Sequence, residues 1–174
     1  MGSYKERVRD FITGRLIPYS DDEYIRQDME HLLVEDKGFP AETIRVGHPF
    51  EVEIDGENHQ DQLDLLIFEK DRPYMAIKCS RGSLVTRERE ALAASRLACE
   101  IQVPITVVTN GEDAEVLDTL SGRVLGQGIT AIPDAARAEI EINDMSFLPL
   151  PEKNLEKEKR ILMAYAAFQC PTDC

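Results

Sequence analysis

Apolar positions along the chain change period several times, and each change marks an element. Tyr4, Val8, Phe11, Ile12 and Leu16 recur at helical spacing, which predicts a helix over 4–16. Ile17-Pro18 breaks it. Ser20-Asp21-Asp22-Glu23 has the form of a capping box, serine at the cap and glutamate three residues on. It predicts a second helix over 22–36 that buries Ile25, Met29, Leu32 and Leu33 and stops at Lys37-Gly38. From Ile44 to Ile54 apolar residues alternate with others, the pattern of a strand with one buried face. Two further strand-like runs, 63–68 and 74–78, are joined by a turn over 69–73. A helix over 87–100 presents Ala91, Leu92, Ala94, Ser95 and Ala98, a small-residue face suited to close packing on a sheet.

The run over 104–109 is continuously apolar and β-branched, as in a strand covered on both faces. Residues 114–117 read as a short helix or turn. A hairpin follows, with strands near Asp118 and Val124, and then a helix over 133–140. Beyond an extended linker at 147–151, a last amphipathic helix spans 152–168. Leu155, Ile161, Leu162, Tyr165 and Phe168 are its docking residues. Glu152, Lys153, Glu156, Lys157, Glu158, Lys159 and Arg160 form its wet side. The order predicts an α/β domain over 1–150, a mixed β-sheet flanked by helices, followed at 151–174 by a docking helix and tail. Docking in cis is expected, because a small domain gains from extra core. Docking in trans, by self-association, is the alternative.

Composition narrows the function. Thirty-three acidic residues against 20 basic give a net charge of −13, which repels phosphate backbones at long range. One stretch runs against this balance. Lys78, Arg81, Arg87, Arg89 and Arg96 face only Glu88 and Glu90 in the same interval, so any DNA contact is expected there. There is no apolar run of eighteen residues, and the first sixteen carry charges throughout, so neither a membrane span nor a secretory signal is expected and the cytoplasm is the default. Cys79, Cys99, Cys170 and Cys174 are then expected as free thiols. Cys170 and Cys174 lack the CxxC pairs and histidine partners of a zinc site. His31, His48 and His59 are scattered over different elements.

The chemistry concentrates in the predicted hairpin. Asp64 interrupts the apolar run Leu63-Asp-Leu-Leu-Ile-Phe68, and the second strand ends in Lys78. Two acids holding Mg²⁺, with a lysine near the attacking water, make a metal-dependent nuclease. The second acid belongs two residues before the lysine, and that residue is Ala76. Without the metal reading, Asp64 is a structural acid paired with Lys78.

Over residues 4–132 the chain resembles the N-terminal domain family of type I restriction enzyme R subunits, within the PD-(D/E)xK nuclease superfamily. Glu30, Gly38-Phe39-Pro40, Gln62-Leu63-Asp64-Leu65-Leu66, Ile77-Lys78-Cys79, the stretch 82–96 and Val108-Thr109-Asn110-Gly111 carry the resemblance. It implies a restriction-endonuclease-like fold, Mg²⁺ held at Asp64, water activated at Lys78 and assistance from Glu30. Ala76 departs from the pattern. Some superfamily members supply the acid from the next helix, which makes Glu90, and after it Glu88, the candidate for a migrated ligand. The expectation is a nuclease-like domain with catalysis reduced or lost, kept for DNA or partner recognition, with DNA contacts through Arg81, Arg87, Arg89 and Arg96. The alternatives are an active Mg²⁺-dependent endonuclease using Glu90 or Glu88, and an acidic protein-interaction scaffold.

Overall fold

The computed structural model describes residues 6–169. Its first element corrects the sequence expectation: a hairpin stands where a helix was predicted. Strands β1 (Arg7–Arg9) and β2 (Leu16–Pro18) pair antiparallel. The turn between them decides the outcome. Asp10 Oδ1 accepts from the Thr13 N–H at 2.6 Å, and the Asp10 carbonyl accepts from the Gly14 N–H at 2.9 Å. Gly14 sits at φ +68, which a right-handed helix cannot continue through. Tyr4, the first residue of the predicted helix, lies outside the described residues.

Helix α1 (Asp21–His31) begins as its sequence signal predicts. Ser20 Oγ accepts from the Glu23 N–H at 3.1 Å. The helix widens into a π turn over Leu32–Asp36 and ends before Gly38 at φ +75. Strands β3 (Ile44–Ile54), β4 (Glu57–Glu69) and β5 (Arg72–Cys79) form an antiparallel meander. Helix α2 (Glu88–Leu97) then crosses over to β6 (Ile105–Thr109), which lies parallel to β5. Strands β7 (Ala114–Asp118) and β8 (Val124–Gln127) return antiparallel, completing a six-stranded mixed sheet in the order β3-β4-β5-β6-β7-β8. Helix α3 (Ala135–Glu141) and helix α4 (Glu152–Gln169) follow. The architecture is the restriction-endonuclease-like α/β fold that the pattern predicted.

Residues 114–117 form a strand rather than a helix or turn. All four are buried and pair with β6, Thr109 standing opposite Ala114. A run this short shows no period of its own, so the neighbouring strand settles its conformation.

Each face of the sheet carries an apolar layer. On one, Leu65, Ile67, Met75 and Ile77 pack with Met29 and Leu33 of the first helical region and Ala138 of α3. On the other, Leu66 and Ala76 lie with Ala93 and Ala94 of α2 and Leu162 of α4. Helix α4 therefore packs on its own domain, against α2 and β3. Leu162 is its buried anchor, and the Tyr165 hydroxyl donates to the Thr86 carbonyl at 2.7 Å. Glu158, expected on the wet side, is 2% exposed because Arg96 reaches it from α2 at 2.8 Å. The Phe168 side chain, Cys170 and Cys174 lie outside what is described. Cys79 and Cys99 are free thiols. Among the described residues, no helix is long and apolar enough to cross a membrane.

Candidate functional site

In the β4–β5 ladder Leu65 stands opposite Ile77 and Leu66 opposite Ala76. The same register carried one residue further sets Asp64 across from Lys78. Here the strands run out into a cleft of about 500 Å³. The start of α1 contributes Asp22, Glu23 and Arg26 to its wall, β4 contributes Asp61, Gln62 and Asp64, and α2 contributes Glu90, with Arg87 just before it.

Lys78 is held from several sides. Its Nζ donates to the Gln62 carbonyl at 2.9 Å and lies 3.6 Å from Asp61 Oδ1. Burial alone would favour the neutral amine. The charges of Asp64, Asp61 and Glu90 outweigh it and hold the ammonium above its ordinary value. At neutral pH Lys78 is therefore a cation and cannot serve as a general base. Asp64 Oδ2 accepts from the Cys79 N–H at 2.6 Å. Burial pushes its carboxyl above the usual range, although Lys78 and that amide act the other way. The direct ion-pair partner of Lys78 is thus Asp61, and Asp64 secures the end of β5 through a backbone bond.

The two candidate migrated acids part company on α2, as residues two apart on a helix must. Glu90 is 6% exposed, lines the cleft and pairs with Arg87 at 2.9 Å. Glu88 leans away onto Glu115 of β7. The proton that Glu88 would share with the Glu115 carboxyl, with burial and the like charge behind it, pushes Glu88 up to about 7. Glu30 is fully buried behind the cleft wall. It accepts from Arg26 Nη1 at 2.6 Å and from the Ile12 N–H at 3.1 Å, and burial among acids pushes it up to about 7. It is Arg26, one turn earlier, that reaches the cleft. Its guanidinium also holds Asp10, at 2.8 Å, and Glu23.

The predicted basic stretch is largely neutralised within the molecule. Arg81 pairs with Asp21 at 2.5 Å and Asp22 at 3.4 Å, Arg87 with Glu90, and Arg96 with Glu158. Arg89 is exposed on α2. Five acids line the cleft, Asp22, Glu23, Asp61, Asp64 and Glu90, against three bases, Arg26, Lys78 and Arg87, a net of −2. Sequence reasoning passed over Arg26 and Asp61. Arg26 was readable as the i,i+4 partner of Glu30 on a helix. Asp61 gave no local signal beyond its nearness to Asp64.

The acids that would hold Mg²⁺ here are engaged with other groups. Ala76 is 1% exposed within the apolar layer that holds Ala93 and Ala94, so this position offers no side-chain oxygen. Asp64 holds an amide, Asp61 the lysine and Glu90 an arginine. Among the described residues, no three His, Cys, Asp or Glu side chains are grouped to hold a metal ion.

Comparison with protein families gives a match to the type I restriction enzyme R protein N terminus over residues 21–133, well over half of the chain. The matched span begins one residue after Ser20 and includes every charged residue lining the cleft. Comparison with curated proteins and with solved structures gave no match.

Proposed function

This chain belongs to the type I restriction enzyme R protein N-terminal family, and we propose that it is a catalytically silent member whose nuclease-like fold serves recognition of a protein partner. The observation that carries this reading is Ala76, sealed in the core where the second metal-binding acid belongs. Removing one carboxylate from a hard-cation site takes away a ligand and the charge that balances the metal. The surrounding pairs point the same way. Lys78 is anchored by Asp61 and Gln62, so it is not free to follow an attacking water. Phosphate binding is opposed by the net −2 of the cleft and by the internal pairing of Arg81, Arg87 and Arg96.

The test is incubation of the purified chain with supercoiled and linear DNA in Mg²⁺ and in Mn²⁺, beside a calorimetric titration with each metal. No cleavage, no metal binding in the millimolar range and no DNA retention at about 50 mM salt, where phosphate contacts are only lightly screened, are expected. DNA retention that weakens steeply with salt would move the recognition role to nucleic acid.

One observation favours a second reading. Glu90 is buried, lines the same cleft as Asp64 and Lys78, and contributes to the field that keeps Lys78 charged. In an active Mg²⁺-dependent endonuclease it would be the migrated acid, exchanging Arg87 for the metal. Metal-dependent cleavage lost in both Asp64→Ala and Glu90→Gln, and kept in Glu88→Gln, would establish that reading over the first.

A further inference from the structure

We propose that the open edge of β8, with the apolar groove beside it, docks an extended segment of another protein that alternates apolar and basic side chains. The two edges of the sheet are built differently. The β3 edge carries Arg45, Glu51, Glu53 and Pro49, the charges and proline that deter a further strand. The β8 edge reads Val124-Leu125-Gly126-Gln127 and carries no charge, in a chain of which 30% is charged. A strand at the end of a sheet leaves a row of backbone groups without a ladder partner, and strand addition uses that row.

Beside this edge lies a groove of about 490 Å³ that shares no lining residue with the cleft. Leu125 borders it, Ile140 stands over it, and Leu120 and Met145 supply further apolar wall. Leu125 is 54% and Ile140 71% exposed, and Val124, which precedes Leu125 on the edge strand, is 49% exposed. Two large apolar side chains left open in one groove, beside an uncharged edge, make a seat for apolar side chains of an added strand.

Charge selects the occupant. Asp118, Glu141 and Asp144 line the groove against Arg137 alone, whose Nε is tied to Glu141 at 2.6 Å. The rim is net −2, so a segment with lysine or arginine between its apolar residues complements it. A second copy of this chain fits poorly, because pairing edge to edge about a two-fold axis would bring two acidic rims together.

The test uses the full chain and a fluorescein-labelled peptide, Lys-Val-Lys-Leu-Lys-Val-Lys, with its glutamate counterpart as control. Saturable anisotropy is expected with the lysine peptide only. Leu125→Lys and Asp144→Lys should each weaken it about tenfold or more, a loss of about 1.4 kcal/mol. Glu53→Lys makes the same charge change as Asp144→Lys but on the β3 edge, and should leave binding unchanged. Amide shifts in NMR should centre on residues 124–127. Absence of saturation, equal binding of both peptides, equal effects of Asp144→Lys and Glu53→Lys, or shifts centred on the cleft would overturn the proposal. A peptide-free dimer that Leu125→Lys dissolves would overturn it in favour of a second copy. Failure here leaves the assignment of the cleft untouched, since the two sites share no residue.

Discussion

Ala76 stands directly across the β4–β5 ladder from Leu66, and both side chains are closed off from solvent beneath the small residues of α2. Ala76→Glu would complete the nuclease motif on paper. In the folded protein it forces a long carboxylate into a layer packed for a methyl group. Overpacking and burial of an unpaired acid together should cost about 3 kcal/mol or more. The expected result is a fall in Tm of roughly 6–12 °C for a chain of this size, with no gain in Mg²⁺ binding. A variant that keeps its Tm and binds Mg²⁺ would show that the site is intact but for one residue.

Asp64 offers a way to separate a structural acid from a retained catalytic one. Its bond to the Cys79 N–H, 2.6 Å long, ends β5 where the chain leaves the sheet. Asp64→Ala leaves that amide without its acceptor and removes a charge facing Lys78, so destabilisation of about 1–3 kcal/mol is expected in urea unfolding. Residues kept in place for chemistry often lower stability, and removing them raises it. A more stable Asp64→Ala protein would therefore count against the silent reading.

Arg96 and Glu158 clamp α4 onto α2. The Arg96 side chain also donates to the Thr119 carbonyl at 2.9 Å, so one residue joins two helices and the chain after β7. Arg96→Ala leaves Glu158 buried with no cation, at a cost of about 3 kcal/mol. Arg89→Ala, on the exposed face of the same helix, should change stability by less than about 0.5 kcal/mol. Comparable losses in the two variants would mean that the clamp contributes little in solution.

The Glu88 carboxyl sets a pH dependence. Its folded value of about 7 exceeds the ordinary 4.5, so the folded protein holds this proton more tightly than the unfolded chain does. The associated stability is complete below the unfolded value and is lost as pH rises through the folded one. Glu88→Gln keeps a donor toward Glu115 without a proton to lose. Its Tm should match that of the parent near about pH 4 and exceed it near about pH 8. Glu30, also pushed to about 7, is present in both proteins and drops out of the comparison. Parallel Tm curves across that range would show that Glu88 and Glu115 do not share a proton.

The middle of the chain was legible because local chemistry and tertiary position agree there. The alternation at 44–54, the turn after Glu69 and the β-branched run at 105–109 each allow one conformation, and the sheet accepts it. The N-terminal segment failed for a definite reason. Val8, Phe11, Ile12 and Leu16 keep helical spacing, yet Leu16 is 57% exposed and the turn through Asp10 and Gly14 prevails. At the site, Asp64, Lys78 and Glu90 were readable as members of one cleft. The fate of the arginines was not, because their partners are remote in sequence: Arg81 finds Asp21, and Arg96 finds Glu158. Composition around Lys78 suggests a basic surface, whereas long-range pairing removes most of it. Glu158 misled for the same reason, since nothing beside it on α4 foretells a buried arginine from another helix.

Arg26 gathers Asp10, Glu23 and Glu30 around one guanidinium. Strands β1 and β2 are three residues each and form a sheet of their own, too little to persist alone in water. Their order is lent to them by α1, through Arg26 and its neighbours Gln27 and Glu30, which accept from the Phe11 and Ile12 N–H groups. The hairpin and the first helix therefore open and close together, and amide protons of Arg9 and Asp10 should exchange with solvent no more slowly than those of α1. A lysine in place of Arg26 presents one compact charge where three carboxylates need a planar fork. It would loosen the hairpin, leaving the Gln27 and Glu30 contacts to hold it, while the six-stranded sheet remains folded.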